Sequence, residues 1–233
     1  MQGKQKKIKG FTLLEILVVV AIVSIISAVA YPNFSTWKRD REVAQASEKI
    51  ANIFRTLTSK SQGGAYPYIQ LYVCEGGTCN DMNTEGAVRF YGRGLFKNEF
   101  ASIRNQGNVP DCSEEAIDWA NPAGNDRIGF HGDDNISIQF ANDEGAVCFS
   151  QDGSFYSTEL GIADNNPIEL PPNARQTENY ILICDRNNAI NGSCPLNLAE
   201  GLEKPSYVIE WSRFGKITKY RFTERGGGGW TQQ

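Results

Sequence analysis

Lys9-Gly10-Phe11-Thr12-Leu13-Leu14-Glu15-Ile16-Leu17-Val18-Val19-Val20-Ala21 opens the stretch on which the fold turns, and its apolar run continues to Tyr31. Of the residues from Phe11 to Tyr31, only Thr12, Glu15, Ser24 and Ser27 are not apolar. As a helix the run rises about 30 Å at about 1.5 Å per residue, the thickness of a bilayer's hydrocarbon, and so predicts a transmembrane segment. Ahead of it stand Lys4, Lys6, Lys7 and Lys9 with no acid. That one-sided charge predicts a cytoplasmic N-terminus, with everything after Tyr31 on the far side of the membrane.

Three readings compete for such a segment: a secretory signal, for which Ala28-Val29-Ala30 supplies the small residues, a permanent anchor, and a leader cut ahead of an apolar part that is kept. Glu15 separates them, because a carboxylate in lipid costs a few kcal/mol and neither of the first two readings gives it a task. The stretch Lys9 to Glu15 resembles the class III leader of type IV pilins and type II secretion pseudopilins. The resemblance covers about the first 50 residues. It implies cleavage between Gly10 and Phe11 by a prepilin peptidase and N-methylation of Phe11. It also implies an assembly role for Glu15, whose carboxylate meets the N-terminal amine of a neighbouring subunit and neutralises both charges in an apolar filament core. Pro32 falls where many of these proteins carry a helix-loosening proline.

Beyond Pro32 the apolar residues Phe34, Trp37, Val43, Ala44, Ala46, Ile50, Ala51, Ile53, Phe54 and Leu57 recur at spacings of three and four, between charges such as Arg39, Asp40, Glu48 and Arg55. One helix is predicted from Phe11 to about Ser59, bent near Pro32 and stopped by Gln62-Gly63-Gly64-Ala65. The period then changes to two. Strands are predicted at Tyr66–Val73, Ala87–Tyr91, Ile136–Phe140, Ala146–Phe149, Ser154–Ser157, Tyr180–Cys184, Tyr207–Trp211 and Lys216–Phe222. Phe100 to Asp134 reads as an irregular insertion with a short helix from Ser113 to Trp119, and Gly161 to Gln176 as a second loop. The expected fold is α+β: a long N-terminal helix, transmembrane in its first half, packed on an antiparallel β-sheet head in the manner of a pilin. Its parts are a leader (1–10), a membrane or filament-core helix (11–31), an amphipathic continuation (32–62), a disulfide-stapled head (63–225) and a flexible tail (226–233). The head resembles GspH/FimT-like minor pilins in Ile136 to Phe140, in Val147 to Gly153 and in the closing Tyr207 to Phe222.

The 233 residues are 40% hydrophobic and 21% charged, which excludes a mostly disordered chain. A net charge of −4 gives no global pull toward nucleic acid. Loss of the leader removes four of the 23 basic residues and none of the 27 acidic ones, leaving a mature chain at −8. Six cysteines delivered to an oxidising compartment predict three disulfides, of which six cysteines allow fifteen pairings. Local spacing favours Cys74 with Cys79 and Cys184 with Cys194, the remainder being Cys112 with Cys148. A zinc site from Cys74, Cys79, Cys184 and Cys194 has the wrong spacing.

His131 is the only histidine and lies in what reads as an exposed turn, and neither a phosphate-binding loop nor a zincin motif is present. Asp133, Asp134, Asp143 and Glu144 read as a solvated acidic loop before a calcium site. The expectation is a non-enzyme without cofactor or metal. One basic cluster stands out near the C-terminus, where Lys216, Lys219 and Arg221 lie among aromatic residues. Some FimT-like minor pilins capture DNA through a basic C-terminal motif, so these three are candidate DNA contacts, although the arginine-glycine pattern of that motif is not reproduced here. The resemblance implies a minor pilin that joins, and primes, a type IV pilus on the cell surface. Its partners would be the prepilin peptidase, other major and minor pilins, the inner-membrane assembly platform and membrane lipid. The alternative is a pseudopilin of the type II secretion pseudopilus.

Overall fold

The computed structural model describes residues 11–75, 88–106, 112, 125–139, 144–151, 155–158, 179–195, 201–203, 205–212, 215–223 and 229–233. The chain divides into two units, Met1–Arg39 and Asp40–Gln233. Helix α1 spans Leu13–Gln62. Its end is set by the predicted glycines: Ala65 N–H donates to the Lys60 carbonyl at 3.1 Å and Gly64 N–H to the Ser61 carbonyl at 3.0 Å. Gly64 sits at φ 70°, so this is a Schellman stop that a side chain would strain.

The expected transmembrane first half is corrected here. Among the described residues no helix is long and apolar enough to cross a membrane. The apolar run is interrupted by Ser24 and Ser27. The run also contains Glu15, and beyond Phe34 the helix carries Lys38, Arg39, Asp40, Arg41 and Glu42. The single-pass inner-membrane placement of the chain is overturned by the same finding.

The second unit builds two five-stranded antiparallel sheets. The first has the order β3-β2-β1-β5-β6, from β1 (Tyr68–Glu75), β2 (Val88–Leu95), β3 (Asn125–Asp133), β5 (Glu144–Ser150) and β6 (Phe155–Thr158). The second has the order β10-β9-β8-β7-β4, from β4 (Ile136–Gln139), β7 (Tyr180–Asp185), β8 (Ser206–Trp211), β9 (Ile217–Thr223) and β10 (Gly229–Gln232). All pairs are antiparallel.

The core lies where both sheets meet the second half of α1. Val43, Ala46, Ile50, Phe54 and Leu57, spaced by three and four, are buried together with Ile69, Leu71 and Val73 of β1 and Ile181, Ile183, Ile209 and Trp211 of the second sheet. Phe54 stacks on Trp211 with centroids 5.0 Å apart. Strand alternation sends the intervening residues outward, yet these too are covered. Tyr68, Tyr72, Cys74, Tyr91 and Cys148 form a second cluster, and Leu182, Cys184, Val208 and Tyr220 a third. Each sheet is thus buried on both faces, which is why its strands carry apolar residues at successive positions rather than a clean alternation.

Two segments differ from the sequence reading. The insertion from Phe100 to Asp134 contains most of α2 (Lys97–Asn105) and all of β3. β3 carries one β-branched residue, Ile128, and is recruited by pairing with β2, whose register shifts between Gly92 and Arg93. Propensity gave no warning of it, because pairing with an existing strand decides a strand of this kind. His131 accordingly belongs to β3, opposite Phe90, and not to an exposed turn. The helix expected from Ser113 to Trp119 lies outside the described residues. The tail from 226 to 233, read as flexible, contains β10, which pairs with β9 from Gly229↔Thr223 to Gln232↔Tyr220.

Candidate functional site

The N-terminal site is built on the first turn of α1. Phe11 and Thr12 precede the helix and are exposed, while Gly10 lies outside the described residues. Glu15 N–H donates to Thr12 Oγ1 at 3.2 Å and to the Thr12 carbonyl at 3.1 Å, and Ile16 N–H reaches the same carbonyl at 3.3 Å. Thr12 is therefore the N-cap and Glu15 the third helical residue, the Thr-x-x-Glu spacing of a capping box. This role for Thr12 was readable from that spacing but is absent from the resemblance-based assignment. The capped geometry explains two properties of the site. Thr12 lies two residues beyond Gly10, so the bond between Gly10 and Phe11 falls ahead of the cap, and the Glu15 carboxylate sits at the positive end of the helix dipole.

The rest of the run is laid open. Phe11, Leu13, Leu14, Leu17, Ile25 and Ile26 are each more than half exposed. Ser24, the third polar interruption, satisfies itself by donating to the Val20 carbonyl at 2.8 Å. Glu15 is then the charged residue of an otherwise apolar exposed surface. A contiguous apolar surface of this size on a folded chain marks an interaction face.

The cysteines stand as follows. Cys112 is bonded to Cys148 and Cys184 to Cys194, with Cα separations of 5.9 and 5.7 Å. Cys74 is also disulfide-bonded, and Cys79 lies outside the described residues. Both described bonds sit on the outer faces of the sheets, Cys148 and Cys184 being strand residues of the second and third clusters. Among the described residues no group of three or more His, Cys, Asp or Glu side chains is placed to hold a metal ion.

The basic C-terminal residues are not brought together as an open patch. Lys219 Nζ donates to Glu48 Oε2 on α1 at 2.6 Å and lies 5.5 Å from the Tyr207 ring centroid. Glu48 also pairs with Arg55 at 3.0 Å, and Arg221 lies 3.8 Å from Asp40. The Lys219 hydrogen bond holds the Glu48 carboxyl below its ordinary pKa, outweighing partial burial, with Arg55 adding to the effect. Burial holds the Tyr207 phenol above its ordinary value. Lys219 and Arg221 share a strand face, as the sequence indicated, but that face looks onto carboxylates of α1, leaving Lys216 as the exposed member of the three. Sequence reasoning had no signal for this, because Glu48 and Lys219 are 171 residues apart.

Fold and site together define a helix-and-sheet protein with an exposed, capped apolar N-terminal helix. The profile of the prokaryotic N-terminal methylation motif matches residues 5–31, so the chain carries the motif characteristic of type IV pilin-like and pseudopilin-like proteins. No curated protein and no solved structure matches the chain.

Proposed function

We propose that this chain is a minor type IV pilin, a structural subunit that joins a pilus and primes its assembly. A prepilin peptidase removes residues 1–10, Phe11 becomes the methylated N-terminus, and the exposed apolar half of α1 packs against the corresponding helices of other pilins. Glu15 there meets the new amine of a neighbour, each charge removing the cost of burying the other. The match of the N-terminal methylation motif to residues 5–31 carries this reading. It is supported by the apolar surface from Phe11 to Ile26, whose exposure to water is costly at roughly 25 cal/mol per Å².

The motif serves pseudopilins of type II secretion equally. Disulfides on the outer faces of both sheets favour the pilus, because a subunit displayed outside the cell gains most from covalent staples. Intact-mass and N-terminal analysis of the chain isolated from its host is the direct test. A methylated Phe11 start is expected, and an uncut leader or a start at Tyr31 overturns the proposal. A deletion strain losing twitching or transformation places the chain in a pilus, whereas loss of exoprotein release alone places it in a pseudopilus.

A further inference from the structure

β10 is an unusual closing element. It is four residues long and follows the glycines Gly226 to Gly228, which bring no side chain to bury. Its own Gly229 brings none either, and Thr231, Gln232 and Gln233 are exposed. The strand is held by its ladder to β9, by Thr223 Oγ1 donating to the Gly229 carbonyl at 3.1 Å, by Gln233 N–H donating to the Lys219 carbonyl at 2.9 Å, and by one apolar side chain. That side chain is Trp230, half-buried, edge-on to Phe222 at 5.3 Å and packed on the cluster containing Tyr180, Val208 and Tyr220. The floor beneath it belongs to other strands, Phe222 and Tyr220 standing in β9, which is itself paired to β8.

We propose that the outer edge of β9 is a strand-acceptor site, with β10 as its resident occupant, and that the partner it takes is an extended, uncharged protein segment carrying an aromatic side chain in the place of Trp230. The edge supplies main-chain donors and acceptors, which any extended segment satisfies, and the surface formed by Phe222 and Tyr220 selects an aromatic residue at one position. A short edge strand belongs to the less stable part of a fold, so its release does not require the two-sheet core to open. This inference is independent of the leader and of filament membership.

The test uses the full chain, its Trp230→Ala variant, and a labelled synthetic peptide with the sequence of residues 226–233. The apparent affinity of an incoming strand is divided by the fraction of chains whose edge is vacant, so loosening β10 must strengthen capture. Trp230→Ala is expected to bind the peptide at least about tenfold more tightly than the unaltered chain. A peptide with alanine in place of its tryptophan is expected to bind neither. Equal affinity for both chains, or no capture by a Trp230→Ala chain whose β7 to β9 amides remain protected from exchange, overturns the proposal. Hydrogen exchange on the unaltered chain decides it even if the variant fails to fold. β10 amides exchanging about a hundredfold faster than those of Val208 and Ile209 support it, and equal protection overturns it.

Discussion

Thr12 and Glu15 divide the work at the start of α1: the hydroxyl holds the helix end and the carboxylate carries the charge. Thr12→Ala is expected to cost about 1 kcal/mol of local helix stability, with Thr12→Ser close to neutral, measured by exchange of the Glu15 and Ile16 amides. Glu15→Gln keeps the helix start and removes the charge. Under the proposed function it leaves unfolding of the head unchanged while the subunit disappears from sheared fibres, and full incorporation would refute its assembly role. Glu48 gives a pH signature. Its pKa is depressed in the folded state, so the stability from its pairing with Lys219 and Arg55 is fully present above the ordinary carboxylate value and is lost as pH falls through the depressed one. The unfolding free energies of the unaltered chain and of Glu48→Gln are expected to differ by roughly 0.2–1 kcal/mol at neutral pH and to converge in acid. Gly215 is a third sensitive residue. It has φ 76°, and a Cβ there would collide with the Thr58 methyl on α1. Gly215→Ala is expected to destabilise by about 2–4 kcal/mol, combining left-handed strain with overpacking, read as a fall in the thermal midpoint.

At the scale of elements, α1 is one helix with two fates. From Val43 onward its apolar positions meet a ready-made floor from both sheets, whereas from Phe11 to Ile26 they are exposed. The first half is almost wholly apolar and the second amphipathic, and both patterns predict a helix without saying which half finds its partner at home. The disulfides act at this scale as well. Cys112–Cys148 closes a separation of 36 residues and Cys184–Cys194 one of 10. Loop-closure entropy then gives the first about 3.8 and the second about 2.7 kcal/mol. Paired serine substitutions are expected to destabilise in that order in denaturant titrations, and the reverse order would show that native-state contacts outweigh the loop entropy. The candidate DNA contacts are an element-scale matter too, because Lys219 and Arg221 belong to the face of β9 turned toward α1. Changing them together is expected to lower the stability of the head more than any affinity for DNA, as measured by unfolding alongside a salt-dependent shift assay.

At the scale of the whole molecule, the head is built in layers. One helix between two sheets supplies the main core, and each outer sheet face is closed by a smaller cluster containing a disulfide. Truncating the side chain at the centre of the main core tests this arrangement. Phe54→Ala removes the ring stacked on Trp211 and is expected to cost about 3–5 kcal/mol, more than any single change in the outer clusters.

The sequence by itself determined the helix, its glycine stop, eight strands set off by turn residues, and the leader motif. Each of these is written in local spacing: residues three and four apart, alternate residues, or a short string of fixed order. Tertiary structure decided the rest. β3 and β10 exist because β2 and β9 offer them an edge, and neither has the composition of a strand. The long apolar run does not, among the described residues, provide a membrane-crossing helix. Lys219 is a partner of Glu48 rather than a free cation because the fold brings together residues far apart in sequence, and charge pairing depends on distance in space, of which the order of residues carries no record.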